Sequence, residues 1–199
     1  MNGIIEKIRI KLVTTVRQQR KRKPQPTAAI IDAQSVKSTL VSSRSNTGYD
    51  GGKQIKGVKR HIVVDTQGLL LAVMVHSAAI ADIKGGRLLL EKLRSAHQWT
   101  DIKKIFADSG YLPPKYRTTK TEYELAGYQL EIVKKPTQET AGQFQPVPKR
   151  WVVERTFAWQ DTNRRLSKSF ERLPSTEEAM VELAAIRTML KHCSKPLNN

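Results

Sequence analysis

The sequence predicts an α/β protein in which a mixed sheet of five strands is flanked by helices. Three strand-like apolar segments follow one another over residues 28–77, and further strand-like segments then alternate with helical ones up to residue 192. Strands joined by tight turns pair antiparallel, whereas strands joined by helices pair parallel, so both arrangements are expected in one sheet. The 199 residues are enough for one domain with a sizeable core.

The first 27 residues are expected to form a basic arm outside this core. Residues 17–23 hold five lysines and arginines, and two prolines follow closely. Such a run is usually solvated, and it could also lie along a phosphate backbone. We therefore predict an arm over residues 1–27, one folded domain over residues 28–193, and a tail over residues 194–199.

The first three strands are predicted from apolar patterning and a turn signal. Residues 28–36 form a β-branched, apolar run, and a long basic loop is predicted over residues 37–59. Residues 60–66 and 69–77 are two more strand patterns. Between them, Gln67-Gly68 predicts a hairpin in which Gly68 has a positive φ.

Helices and strands alternate in the second half of the chain. Residues 81–97 have a helical apolar face with Asp82 at or near the N-cap, and residues 103–108 and 128–134 are strand patterns. The other predicted elements are a polar helix over 113–127 that begins with proline and ends with glycine, a loop over 136–148, and helices over 149–166 and 176–192. This order is that of the ribonuclease-H-like fold, although element order alone has several solutions.

The composition indicates which partners the protein has. A formal net charge of +17 predicts a polyanionic partner: DNA, RNA or an acidic membrane surface. The longest purely apolar run, residues 69–75, is far too short to span a bilayer. No apolar signal core is present near the start, so a cytoplasmic location is expected. A single cysteine excludes an internal disulfide and a cysteine-cluster zinc site.

Three acids occupy positions where carboxylates are unusual. Asp32 lies within the first predicted strand, although strand interiors disfavour aspartate. Asp108 ends the fourth predicted strand, where open α/β sheets place their ligand sites. Glu154 lies within a helix, on the side that also carries Arg150 and Trp151. Because buried carboxylates are costly without a partner, a shared cation is expected.

Carboxylates that converge from two strands and a helix would form a site made of oxygen ligands, which magnesium prefers. Two such ions can activate a nucleophile and stabilise the leaving oxygen in phosphoryl transfer. For each acid alone, the alternative is a helix cap or a salt bridge, and for Glu154 a surface pair with Arg150 or Arg155 is equally reasonable. The four histidines form no metal-binding pattern and are expected to be ordinary core or surface residues.

Four blocks of sequence surround these acids. They are Ala29-Ile30-Ile31-Asp32-Ala33-Gln34-Ser35, Gly57-Val58-Lys59-Arg60-His61-Ile62, Ala107-Asp108-Ser109-Gly110-Tyr111 and Arg150-Trp151-Val152-Val153-Glu154-Arg155. Together they resemble the catalytic domain of DDE transposases of bacterial insertion sequences, in the IS-four/IS-five superfamily. The resemblance extends from about residue 24 to residue 192, and the combination of blocks is highly specific.

The resemblance implies a ribonuclease-H-like DDE catalytic domain over residues 28–193. It implies that Asp32, Asp108 and Glu154 are the catalytic residues and hold two Mg²⁺ or Mn²⁺ ions. It also implies water attack at the transposon end, followed by attack of the freed 3′-hydroxyl on target DNA, without a covalent enzyme intermediate. The implied partners are transposon ends, target DNA and further copies of the chain on DNA, in a nucleoid-associated setting. A DNA-recognition segment from an upstream reading frame is a further expectation.

The basic residues near the acids are expected to contact DNA. The family's arginine four residues before the glutamate carries over to Arg150. The sequence departs from the family pattern at Val147, where a tyrosine is common, and at Asp161 and Thr162, where a basic residue is common; Arg164 is the nearest substitute. The predicted DNA-binding residues are Arg150, Arg155, Arg164, Arg165, Lys168, Lys53, Lys59 and Arg60.

Two other functions remain open from the sequence. One is an inactive or repurposed transposase fragment that acts as a non-specific DNA-binding module, whose basic surface would be the same. The other is a generic nuclease of the same fold. The intact set of Asp32, Asp108 and Glu154 favours an active enzyme, and the Arg150–Glu154 spacing argues against a generic nuclease.

Overall fold

The computed structural model describes residues 2–40, 42, 46–133 and 149–193. Within these residues, the four α-helices are α1 (Asn2–Gln19), α2 (Asp82–Ser95), α3 (Arg150–Asp161) and α4 (Pro174–Cys193). The seven strands in the same described part of the chain are β1 (Ala28–Lys37), β2 (Gly48–Asp50), β3 (Ile55–Asp65), β4 (Leu70–Ser77), β5 (Lys104–Ala107), β6 (Glu122–Leu125) and β7 (Tyr128–Ile132). Single 3₁₀ turns occur at Ser109–Tyr111, Pro114–Tyr116 and Arg164–Leu166. The predicted loop over 136–148 and the predicted tail over 194–199 lie outside the described residues.

All seven strands form one mixed sheet, and the ribonuclease-H-like fold class is confirmed. Strand β1 is central, with β3 antiparallel on one side and β5 parallel on the other. Strand β4 pairs antiparallel with the outer edge of β3, and β7 pairs parallel with β5. The order β4-β3-β1-β5-β7 therefore supplies the five expected strands. Two short additions, β2 beside β3 and β6 beside β7, raise the count to seven.

Helices cover both faces of this sheet, and successive residues of β3 identify each face. Side chains alternate across a strand, so Arg60 and His61 point to opposite sides. Arg60 binds Glu177 of α4, whereas His61 lies against Gly85 of α2. Asp32 is the cross-strand partner of Ile62, two residues after Arg60, so its side chain shares the face that α4 covers. Helix α3 packs on β1 at this face.

The hairpin between β3 and β4 agrees with the sequence prediction. Gly68 has a φ of +85°, and Asp65 closes the turn by accepting hydrogen bonds from the backbone N–H groups of Gln67 and Leu69, both at 2.9 Å. The predicted basic loop over residues 37–59 is shorter than expected. Strand β3 already begins at Ile55, and β2 lies within the predicted loop, because both pair in the sheet there.

The prediction that residues 1–27 form a basic arm outside the core was wrong. Residues 2–19 form α1, which packs against α4 and β4 and buries Val13 and Val16 completely. Arg9 is also buried, donating to the carbonyls of Leu70 and Leu71 and pairing with Glu182 at 3.1 Å. Charge alone did not keep these residues in solvent, because carboxylates and carbonyl groups satisfy the arginines.

The polar helix predicted over residues 113–127 was also wrong. Proline starts only the single turn Pro114–Tyr116, and the chain then enters β6, which pairs antiparallel with β7. Ala126 and Gly127 have φ values of 52° and 77°, as a tight hairpin turn requires. Glycine therefore serves a strand turn here and not a helix end.

The remaining helices differ from the predictions mainly at their ends. Asp82 lies in the first turn of α2, but Ala81 occupies the N-cap without a side-chain hydrogen bond. Helix α3 ends at Asp161, and the 3₁₀ turn Arg164–Leu166 follows within the range predicted as helix. None of the helices that the structure describes has both the length and the apolar character needed to cross a membrane.

Candidate active site

The three predicted acids come from three different elements. Asp32 lies in β1, and Asp108 directly follows β5, the parallel neighbour of β1. Because Ile30 is in register with Phe106, the same register carried two residues further brings Asp32 beside Asp108. The Asp108 carboxylate also accepts a hydrogen bond from the Gly110 N–H at 2.8 Å, which fixes it at the start of a 3₁₀ turn.

Arg150 joins the three acids. Its Nη2 atom lies 3.4 Å from Asp32 Oδ2, 3.7 Å from Asp108 Oδ2 and 3.7 Å from Glu154 Oε1. Arg150 begins α3, so Glu154 is one helical turn further along the same face. The structure therefore brings together the acids that the sequence predicted. It also places Arg150 next to all three of them, whereas the sequence indicated a pair with Glu154 alone.

The three carboxylates differ in their access to water. The side chain of Asp32 is 14% exposed, that of Asp108 30%, and that of Glu154 57%. Burial raises the pKa of Asp32, the neighbouring Asp108 also raises it, and Arg150 and the Ala33 N–H oppose both effects. Asp32, the most buried of the three acids, therefore has the charged form that an adjacent cation stabilises most.

The donor set fits a hard divalent ion in chemical type. All three candidate ligands are carboxylates, which Mg²⁺ and Mn²⁺ accept. Among the described residues, no three acidic, histidine or cysteine side chains are already gathered closely enough to hold an ion. In this conformation the point common to the three carboxylates is the Arg150 guanidinium.

A second charged cluster lies beside the first, and sequence reasoning missed it. Lys59 Nζ is 2.7 Å from Asp82 Oδ1 and 3.5 Å from Asp50 Oδ2, and it donates to the Ile80 carbonyl at 3.0 Å. Asp50 also accepts from Ser35 Oγ at 2.6 Å. Because Asp50, Lys59 and Asp82 are distant in sequence, no local motif revealed the cluster.

Two of the predicted DNA contacts do not fit the structure. Arg60 is fully buried, with Nε at 2.8 Å from Glu177 Oε1 and Nη1 at 2.7 Å from the Leu166 carbonyl. Lys59 is buried in the cluster just described. Both side chains lie in the internal strand β3, so neither has a surface available to a phosphate, and we withdraw them from the DNA-binding set.

Arg150 is also largely buried, among the three acids, whereas the other basic candidates remain at the surface to different degrees. Arg164, Arg165, Lys168 and Lys53 are exposed, and Arg165 pairs with Glu171 at 2.7 Å. Lys53 Nζ donates to the Ala33 carbonyl at 3.2 Å, next to Asp32. Arg155 stacks between Trp151 and Trp159, 4.6 Å from each ring, and donates to the Gln67 carbonyl at 3.0 Å. It anchors α3 to the β3–β4 turn.

Two of the four histidines lie in the core, as the sequence indicated. The rings of His61 and His76 are 4.8 Å apart, and His61 Nδ1 is 3.1 Å from the Tyr111 hydroxyl. Neither Nε2 atom has a hydrogen-bond partner among the described residues, and a Cβ atom at Gly85 would lie 2.6 Å from that of His61 and 2.2 Å from that of His76. Glycine at this position lets α2 approach the pair closely.

The sequence comparisons agree with this architecture. Residues 23–189 match the profile of the family described as Transposase DDE domain. The chain belongs to the DDE transposase family.

One curated relative of this DDE transposase chain is a putative transposase for insertion sequence element IS402 from Burkholderia cepacia. The two sequences are 30% identical over 132 residues, which is 64% of this chain and 60% of the relative. The match therefore spans less than two thirds of the relative's length.

Proposed function

We propose that this chain catalyses metal-dependent cleavage and strand transfer of the DNA of an insertion sequence. The observation that carries the proposal is the meeting of Asp32, Asp108 and Glu154 around one point, on a chain with a net charge of +17. Family membership supports the same reaction class. Assembly as a homo-oligomer on DNA, and end recognition by an upstream segment, are parts of the proposal that rest on the family alone.

The three carboxylates are the proposed ligands of two Mg²⁺ or Mn²⁺ ions. Bound there, such ions would activate the attacking oxygen and stabilise the leaving oxygen. Asp32 supplies a ligand held by the central strand, and the Gly110 N–H fixes the Asp108 carboxylate. Glu154 is the most exposed of the three and is therefore the ligand nearest to incoming DNA.

The proposed chemistry exchanges one phosphorus–oxygen bond for another at each step. In the first step a water oxygen attacks the phosphorus at the transposon end, and the 3′-oxygen leaves as a hydroxyl. In the second step that hydroxyl attacks a target phosphorus, and the target's own 3′-oxygen leaves. Neither step requires a redox cofactor or a nucleotide, and the protein's part is positioning and electrostatic stabilisation.

The experiment is metal-dependent nicking of a plasmid that carries the DNA flanking the gene. Asp32→Asn, Asp108→Asn and Glu154→Gln are each expected to lower the cleavage rate by at least about a hundredfold while DNA affinity is retained, because each removes a charged ligand. Asp101→Asn and Glu124→Gln are matched controls, since both residues are exposed and lie outside the site. A wild-type rate in any triad variant would exclude that residue.

A DNA-binding module without cleavage activity is the second candidate. Two observations favour it: no described group of three potential ligands is already close enough to hold an ion, and Asp161 departs from the family pattern that the sequence resembles, in which a basic residue is common there. This candidate requires DNA binding that is indifferent to Mg²⁺ and to the three triad substitutions. The nicking assay and a binding assay with the same proteins separate the two candidates.

A further inference from the structure

We propose that the Arg150 guanidinium is an exchangeable counterion of the acidic triad. It competes with divalent ions for the three carboxylates, and it moves to a DNA phosphate when those ions bind. This inference rests on the proposed function, because it takes the triad to be the metal site. It assigns Arg150 a positioning role that couples metal binding to DNA binding.

The position of the guanidinium is the first argument. One nitrogen, Nη2, contacts Asp32, Asp108 and Glu154 at 3.4–3.7 Å. The Arg150 side chain is only 10% exposed, so its guanidinium lies among the carboxylates and not in open solvent. Arginine keeps its positive charge at any physiological pH. The oxygens proposed as metal ligands therefore already share a cation supplied by the chain itself.

The looseness of these contacts is the second argument, and Arg60 provides an internal comparison. Arg60 binds Glu177 through Nε at 2.8 Å and Nη2 at 2.7 Å, and it has no exposed surface. Arg150 uses a single nitrogen at distances beyond those of a strong charged hydrogen bond. A structural arginine is held as Arg60 is, whereas Arg150 is held weakly enough to be displaced.

Charge balance is the third argument. Two divalent ions already outweigh the negative charge of three carboxylates, so a guanidinium left among them would be repelled. Arg150 lies at the first position of α3, one turn before Glu154, whose side chain is 57% exposed, so solvent is within one helical turn of the guanidinium. A phosphate on that exposed side can accept two parallel hydrogen bonds from the displaced guanidinium.

Coupling between the two ligands follows from this exchange. Without DNA, a metal ion must displace Arg150 into water. With DNA present, a phosphate accepts the arginine, so the same displacement costs less. By thermodynamic reciprocity, DNA tightens metal binding and metal tightens DNA binding by the same factor, typically about 5–150-fold for coupled sites. Direct metal–phosphate contacts could also produce such coupling, so the test must isolate the contribution of Arg150.

The test is titration of the full chain with Mn²⁺, with free ion followed by electron paramagnetic resonance, alone and with a short duplex. Arg150→Gln is expected to bind Mn²⁺ about tenfold more tightly than wild type without DNA, and to gain less from adding the duplex, in keeping with typical coupling factors. Arg150→Lys keeps the positive charge and should remain near wild type. Arg187→Gln removes the same charge from an exposed residue of α4 and should behave as wild type.

Each result is decisive. Mn²⁺ affinity in folded Arg150→Gln that equals that of Arg187→Gln, or is weaker, would overturn the counterion role. If Arg150→Gln does not fold without metal, Mn²⁺ should restore its folding, measured by thermal unfolding, and failure to do so would also overturn it. Asp32→Asn tests the proposed function separately: undiminished Mn²⁺ binding in that variant would show that the triad is not the metal site.

Discussion

At the scale of single residues, the same pair of chemical groups performs different tasks in this protein. Arg60 with Glu177 and Arg150 with the triad are both arginine–carboxylate contacts with little access to water. The first is short, uses two nitrogens and is reinforced by the carbonyls of Leu166 and Lys168. Distance and the number of hydrogen bonds, rather than burial, separate a structural ion pair from a functional one.

Removing one partner of the Arg60–Glu177 pair is expected to destabilise the fold. Glu177→Gln should lower the free energy of unfolding by about 3–5 kcal/mol, because the buried guanidinium is left without its counter-charge. Glu131→Gln, which breaks the exposed pair with Lys104, should cost about 0–1 kcal/mol. Urea denaturation of both variants measures the difference, and equal losses would contradict this distinction.

The buried histidine pair predicts how stability responds to acid. Burial is the main cause that lowers the pKa of both His61 and His76 below 6.5, and His76 and Lys59 lower that of His61 further. The unfolded chain therefore binds more protons than the native protein as pH falls through 6.5. The stability that the two neutral histidines contribute is fully present above that pH and is lost progressively below it.

Denaturation series at several pH values test this expectation. Each histidine that stays neutral only in the native state contributes a slope of up to about 1.4 kcal/mol per pH unit below its unfolded pKa. His76→Gln should reduce the slope, whereas the exposed His97→Gln is the matched control. The raised pKa of Asp32 has the opposite effect on stability at lower pH. The test is therefore the difference in slope between the variants and not the slope of the wild-type protein alone.

At the scale of elements, sequence patterning predicted the segments whose structure depends on local signals. The first strand, the Gln67-Gly68 hairpin and the strand before Asp108 follow from apolar runs and a turn residue. Helix α1 and strand β6 did not follow, because their structure depends on partners distant in sequence. Glu182 and the β4 carbonyls hold Arg9, and β7 pairs with β6.

The candidate site also contains some features that local sequence predicts and others that depend on distant partners. The three acids were predictable because each is an anomaly within its own segment. The position of Arg150 among them, and the burial of Lys59 and Arg60, depend on packing between elements, which the sequence of one segment does not predict. Basic residues in a basic protein are expected at the surface, but carboxylates on other elements pair with several of them in the interior.

The β3–β4 turn supports α3 and therefore the site that α3 carries. The Gly68 carbonyl accepts a hydrogen bond from Thr156 Oγ1 at 3.0 Å, and a Cβ at Gly68 would lie 2.8 Å from the same atom. Gly68→Ala should cost about 1–3 kcal/mol, because a positive φ is strained for alanine and the contact with α3 is disturbed. Gly51→Ala, which meets nothing within 4 Å, is the control. A similar loss for both in thermal unfolding would remove this role of the turn.

At the scale of the whole molecule, positive charge is distributed unevenly between surface and core. Arg9, Arg17, Lys59 and Arg60 are paired with carboxylates that the net charge of +17 already subtracts, so these pairs contribute no net charge. The excess of positive charge therefore lies on other residues, and where they lie decides which surface attracts a polyanion. Among the described candidates for DNA contact, the exposed ones include Arg164, Arg165 and Lys168, which follow α3 along the chain, and Lys53, which lies next to Asp32.

The salt dependence of DNA affinity should reveal which of the exposed basic residues contact phosphates. Arg164→Gln and Lys168→Gln are each expected to reduce the slope of log affinity against log salt concentration by about 0.9, the effect of one lost phosphate contact on duplex DNA. Lys92→Gln is the matched control, because Lys92 is exposed on α2, across the sheet from α3. Fluorescence anisotropy with one short duplex over a range of salt concentrations gives all the slopes. If Lys92→Gln flattens the slope as much as Lys168→Gln, DNA binding follows total charge, and the surface beside α3 has no special part in it.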